Sequence, residues 1–267
     1  MFYKAAFPLK KWLTRYQELL EDHRYKKLAT YHITGGYQRI YLYHIQKTGG
    51  TSLNYMFLSL GGEDPLDVYN RLAAKGLKAR RTLSNDKVYV GWDKKLIEDG
   101  NYFYAFSHTP KHRLRIPEET FTITCLRDPK KRVLSLYKEF FEYKLNDVDH
   151  PCRVYSDNWL GNSFHDFLRN APQKELLRQL YMFSPTFDIE EALENILACS
   201  FFFRTEEFSQ GCDELSKRLK INLLPLHVRK TTINAAIKES ELLLLESILK
   251  PEYELMAKLE QRMKHNL

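Results

Sequence analysis

Cysteine is scarce in this chain and follows no pattern. The 267 residues carry only Cys125, Cys152, Cys199 and Cys212, with no C-x-x-C pair and no histidines at zinc-ligand spacing. That excludes a disulfide framework and the common structural zinc modules, and it favours a reducing compartment. Long apolar runs are also missing. The apolar patch within Met1 to Leu13 is broken by Lys4, Lys10 and Lys11, and no small-residue cleavage site follows it. The reading is therefore a chain without a membrane span or signal peptide, placed in the cytoplasm. No low-complexity tract or internal repeat is visible, which excludes solenoids and arrays. The ATP-loop pattern G-x-x-x-x-G-K-[ST] does not occur either.

What is present is one domain's worth of chain with a basic balance. Forty-one Lys and Arg against 34 Asp and Glu give a net charge of +7. This suits an anionic ligand, whether nucleotide, sulfated glycan, nucleic acid or membrane surface, but selects none of them. The length fits a single well-buried unit over 1–267. A helical lead-in occupies 1–30, where Trp12, Tyr16, Leu19 and Leu20 keep helical spacing, and a closing helix spans 240–267, with Pro251 expected to kink or split it.

The informative stretch runs from Tyr41 to Phe57. An apolar, aromatic run, Ile40 to Ile45, reads as a buried strand. Lys47, Thr48, Gly49, Gly50, Thr51 and Ser52 follow, and then Leu53, Met56, Phe57 and Leu60 recur at helical spacing. A strand, a Gly-rich turn and a helix start make an anion cradle, since unpaired N–H groups and the helix dipole both favour negative charge. A tight turn with an incidental lysine is the plain alternative.

Further strands are expected at Val88–Trp92, Tyr102–His108, Phe121–Leu126 and Ser200–Arg204, with 63–87 read as a loose polar helix or loop. Helices are expected over 130–143, in pieces over 146–199, and over 206–219. Asp128 is a natural N-cap and Pro129 a natural first helical residue. Strands alternating with helices predict an α/β fold, a three-layer, P-loop-like sandwich with a mostly parallel central sheet flanked by helices. Ligands in such sheets lie beyond the carboxyl ends of the strands, where Lys47, His108 and Arg127 all fall. Lys130, Lys131 and Arg132 crowd a helix start where positive charge is unfavourable, which is explicable if an anion is held there. A capped helix with a solvated basic face is the alternative.

Two stretches, Lys47-Thr-Gly-Gly-Thr-Ser52 and Leu126-Arg-Asp-Pro-Lys-Lys-Arg-Val-Leu-Ser135, resemble the two nucleotide-binding loops of sulfotransferases. His44 to Thr51 is similar to the loop of heparan sulfate 6-O-sulfotransferases and bacterial relatives. His227-Val-Arg-Lys-Thr-Thr232 is similar to a C-terminal segment of heparan sulfate and uronyl 2-O-sulfotransferases. The resemblance covers roughly 38–60, 102–145 and 200–260. It implies 3′-phosphoadenosine 5′-phosphosulfate as donor, no metal, no nucleic-acid partner, and a hydroxyl-bearing acceptor, with a saccharide the first choice and a small natural product or lipid the alternative. It also implies roles. Residues 48–52 would hold the 5′-phosphosulfate, with Lys47 as the electrostatic catalyst. Arg127 and Ser135 would grip the 3′-phosphate, and Arg229, Lys230, Thr231 and Thr232 would close over the nucleotide. His108 matches the family's general base, although Ser107 stands where relatives carry Gly, and His112 is the competing histidine. A kinase-like nucleotide enzyme and a non-catalytic polyanion-binding module remain the readings of other classes.

Overall fold

A computed structural model describes residues 23–74, 80–224 and 237–265, together with residues 12, 16, 20 and 226. Residues 23–28 are helical, in keeping with the expected lead-in. The central element is β1 (Arg39–Tyr43), whose Ile40, Tyr41, Leu42 and Tyr43 are buried on both faces. Then come α1 (Gly50–Leu58), α2 (Pro65–Ala73), β2 (Arg81–Ser84), β3 (Lys87–Gly91), α3 (Lys94–Asp99), β4 (Tyr104–Ser107) and β5 (Thr120–Leu126). The second half holds α4 (Pro129–Leu145), α5 (Pro151–Ser156), α6 (Phe164–Asn170), α7 (Gln173–Leu176), α8 (Arg178–Phe183), α9 (Ile189–Leu197), β6 (Phe201–Arg204), α10 (Phe208–Leu219) and α11 (Glu239–His265).

The six strands form one sheet in the order β2-β3-β4-β1-β5-β6, parallel except for the β2–β3 hairpin at one edge. Side-chain alternation along β1 builds a core on each face. Tyr41 and Tyr43 join Val133, Leu136, Leu180, Leu193 and Leu255 on one side, while Ile40 and Leu42 join Leu53, Phe57, Leu72 and Leu215 on the other. The mixed α/β arrangement with helices on both faces matches the expected class.

Three expectations change. The polar stretch 63–87 is not loose throughout. Asp64 caps α2 by accepting from the Leu66 and Asp67 amides, and Arg81–Ser84 pairs with β3 as an edge strand. Alternation puts Thr82 and Ser84 inward, so this strand shows no apolar signal. The third concerns α11, which is not split at Pro251 but runs as one helix to His265. No helix among the described residues is long and apolar enough to cross a membrane.

Candidate active site

Because β1, β4, β5 and β6 are parallel, their carboxyl ends open on the same edge of the sheet, and β1 lies between β4 and β5. The chain leaves β1 through His44, whose amide donates to the Ser107 carbonyl at 3.0 Å and so ties the ends of β1 and β4 together. Lys47 sits in the left-handed region at φ 69 and Gly49 at φ 84, which turns the chain sharply into α1. Gly49 is the N-cap of α1 and offers no side-chain cap, so the first-turn amides, Thr51 and Ser52 included, meet the loop mouth with the helix dipole behind them.

The two glycines answer to the protein beneath them. Gly49 supplies the positive φ. A Cβ on Gly50 would fall 2.0 Å from Cδ2 of His44, so Gly50 makes room for that ring. The His44 ring is buried against the loop and faces the Asn54 amide at 3.5 Å, while Asn54 accepts from the Tyr104 hydroxyl at 2.8 Å. His44 is thus a packed residue. The Thr48 hydroxyl is committed to the loop, donating to the Ile45 carbonyl at 2.9 Å.

Arg127 follows β5 directly. Its Nη1 donates to the Lys47 carbonyl at 2.9 Å, which brings together the two sequence stretches singled out above. Thr205, just past β6, locks the same junction. Its hydroxyl proton has two carbonyls within reach, Thr48 at 2.8 Å and Leu126 at 3.0 Å. The Lys47 ammonium lies 2.9 Å from a Glu139 carboxylate oxygen on α4. Ser135, on the second turn of α4, is half-buried. Neither Thr205 nor Glu139 carries a local sequence signal; both become visible only through contacts across the sheet ends.

His108 follows β4, with its ring 4.4 Å from that of His44. Its Nδ1 is 2.6 Å from the His44 carbonyl. A carbonyl can only accept, so Nδ1 carries the proton and Nε2 keeps its lone pair. Burial drives the His108 pKa down to about 4, and Arg178 adds to this, while the bond to the His44 carbonyl opposes it. Burial likewise pushes His44 well below the ordinary imidazole range, with His108 and Lys47 contributing. Both rings are therefore neutral near pH 7. Ser107 is buried. It pairs with the Tyr41 hydroxyl at 2.8 Å and accepts from the Thr109 amide at 3.1 Å. His112 is exposed on a short helical turn and packs edge-on against Tyr181.

The basic cluster at the start of α4 takes a different form from the one expected. Asp128 does cap the helix, accepting from the Lys131 amide at 2.8 Å, with Pro129 as the first helical residue. Arg132, however, turns inward and is fully buried, donating to the Glu175 carbonyl at 2.8 Å, while Lys130 pairs with Glu246 at 2.6 Å. The crowding is relieved by protein partners, because the inward face of the helix carries the Arg132 charge into the core. Arg229, Lys230, Thr231 and Thr232 lie outside the described residues.

The loop mouth thus collects the uncapped amides of α1, an ammonium and a guanidinium, a donor set that fits a ligand with more than one negative group. A neutral imidazole with a free Nε2 follows the adjacent strand. No group of side chains suited to hold a metal ion occurs among the described residues. A sequence profile described as the sulfotransferase family matches residues 30–232, and the chain belongs to that family. Its activity is accordingly the transfer of a sulfuryl group. No curated protein matches the chain.

Proposed function

We propose that this protein is an O-sulfotransferase that takes its sulfuryl group from 3′-phosphoadenosine 5′-phosphosulfate and passes it to a carbohydrate hydroxyl. The observation that carries the reading is the bond from Arg127 to the Lys47 carbonyl, because it joins the two anion-seeking loops in one site. The α1 amides with Thr51 and Ser52 would hold the 5′ end, and Arg127 with Ser135 the 3′-phosphate. The choice of a saccharide rests on the resemblance of the loops to those of glycan enzymes.

The donor supplies the sulfuryl group and leaves as a bisphosphate. Lys47 would neutralise the charge that grows on the departing phosphate oxygen, the kind of electrostatic help that dominates transfers of this type. His108 would take the acceptor proton at Nε2, its tautomer fixed by the His44 carbonyl. Titration calorimetry with adenosine 3′,5′-bisphosphate, followed by an acceptor screen with labelled donor, tests the reading. Binding without magnesium, and labelled product lost in His108→Ala, is the expected result. Magnesium-dependent ATP binding with no affinity for the bisphosphate would overturn it.

A further inference from the structure

Gln179, on α8, holds the backbone of Arg127 at both of its polar atoms. The Arg127 amide donates to Gln179 Oε1 at 2.8 Å, and Gln179 Nε2 donates to the Arg127 carbonyl at 3.0 Å. The other Nε2 proton goes to Glu252 Oε2 on α11 at 2.9 Å. The orientation of the amide is unambiguous, since a carboxylate and a carbonyl only accept and a backbone amide only donates. Both Gln179 and Glu252 are fully buried.

Glu252 does more than receive that proton. Its Oε1 accepts the backbone amides of Gln179 at 2.6 Å and Leu180 at 3.3 Å, so it caps the start of α8 from another helix. Its charge faces the buried guanidinium of Arg132, whose Nε is 3.9 Å from Oε2. A charge withdrawn this far from water is costly unless it is paired and hydrogen-bonded, and here it is both. The hydrogen bonds therefore run from Glu252 through Gln179 to Arg127 and end at the loop mouth, with Arg132 as the counter-charge facing Glu252.

From this we infer that Gln179 and Glu252 are positioning residues that set the Arg127 guanidinium for the 3′-phosphate of the donor. The inference rests on the donor assignment proposed above. A residue fixed at its own N–H and C=O has little freedom at its root, so its side chain reaches the Lys47 carbonyl in one geometry. Without the amide clamp, the guanidinium would spread over several positions, and recognition of the 3′-phosphate would suffer more than that of the 5′ end, whose donors include the amides of α1.

The experiment compares adenosine 3′,5′-bisphosphate with adenosine 5′-monophosphate by calorimetry on the full chain, with thermal melts run alongside. The wild type should prefer the bisphosphate. Gln179→Met keeps the bulk and removes the hydrogen bonds, and it should weaken bisphosphate binding by about tenfold, the loss expected for buried bonds of this kind. Monophosphate binding should stay within about twofold, so the preference collapses. Glu252→Gln places a donor where Gln179 donates, and should lower the same ratio with the shape unchanged. In an Arg127→Ala background Gln179→Met should add less than about twofold, because the clamp then has nothing to position. Equal losses for both nucleotides, or a preference that survives both substitutions, would overturn the inference. A wild type with no preference would overturn the donor assignment and this role together.

Discussion

Lys47 Nζ lies 2.9 Å from Glu139 Oε1, and the two side chains are only 14% and 17% exposed. At that burial the pair is stronger than a surface ion pair, and in the proposed donor placement the carboxylate competes with the phosphate for the ammonium. Glu139→Gln should tighten binding of adenosine 3′,5′-bisphosphate by roughly three- to tenfold, because it removes both the competitor for the ammonium and the repulsion. Calorimetry at two salt concentrations checks this. Weaker binding would show instead that the carboxylate is needed to aim Lys47.

The two neutral imidazoles set the acid behaviour. His108 is held down to about 4, and His44 is lowered too, so the native state binds fewer protons than the unfolded chain at acid pH. Stability from these groups is complete above the unfolded value near 6.5 and is lost as pH falls from there toward the folded value. A series of urea melts should show this decline. In kcat/KM, which reports the free enzyme, the acid limb should bend near 4, not near 6.5.

Gly49 and Gly50 should fail for different reasons when replaced by alanine. Gly49→Ala forces a side chain into the left-handed region, at about 1–2 kcal/mol. Gly50→Ala drives a methyl into the His44 ring, at about 1–3 kcal/mol. In a His44→Ala background the second cost should fall below about 1 kcal/mol, while the first should not change. Denaturant melts of the two glycine variants, of His44→Ala and of the two double variants separate the two causes.

Thr205→Val keeps the shape and removes the hydroxyl that bridges the loop after β1 to the end of β5. Stability should fall by about 1 kcal/mol. Bisphosphate affinity should fall as well, since the Thr48 carbonyl belongs to the anion loop.

Much of this was readable from local pattern. An apolar run followed by glycines marks a strand entering a helix, and Asp-Pro after an apolar strand marks a capped start, so Lys47, Arg127 and the end of β4 were placed correctly relative to the sheet. The edge strand Arg81–Ser84 escaped because its inward positions are Thr and Ser. The inward turn of Arg132 escaped because charge in a helix start reads as surface unless its partner is known, and Glu252 lies 120 residues on in the chain. Gln179, Glu139 and Thr205 share that problem. Each matters through contacts with residues far away in the chain, which leave no spacing behind.

The parallel sheet has a consequence for how the protein matures. The loop after β1, His108, Arg127 and Thr205 come from widely separated segments, and the pairing of Ile123 with Phe201 joins residues 78 positions apart in the chain. Such distant pairings are slow to form and late to be rewarded. Competence for the anion should consequently arise only as the last strand docks, which makes ligand binding a stopwatch for the final step of folding.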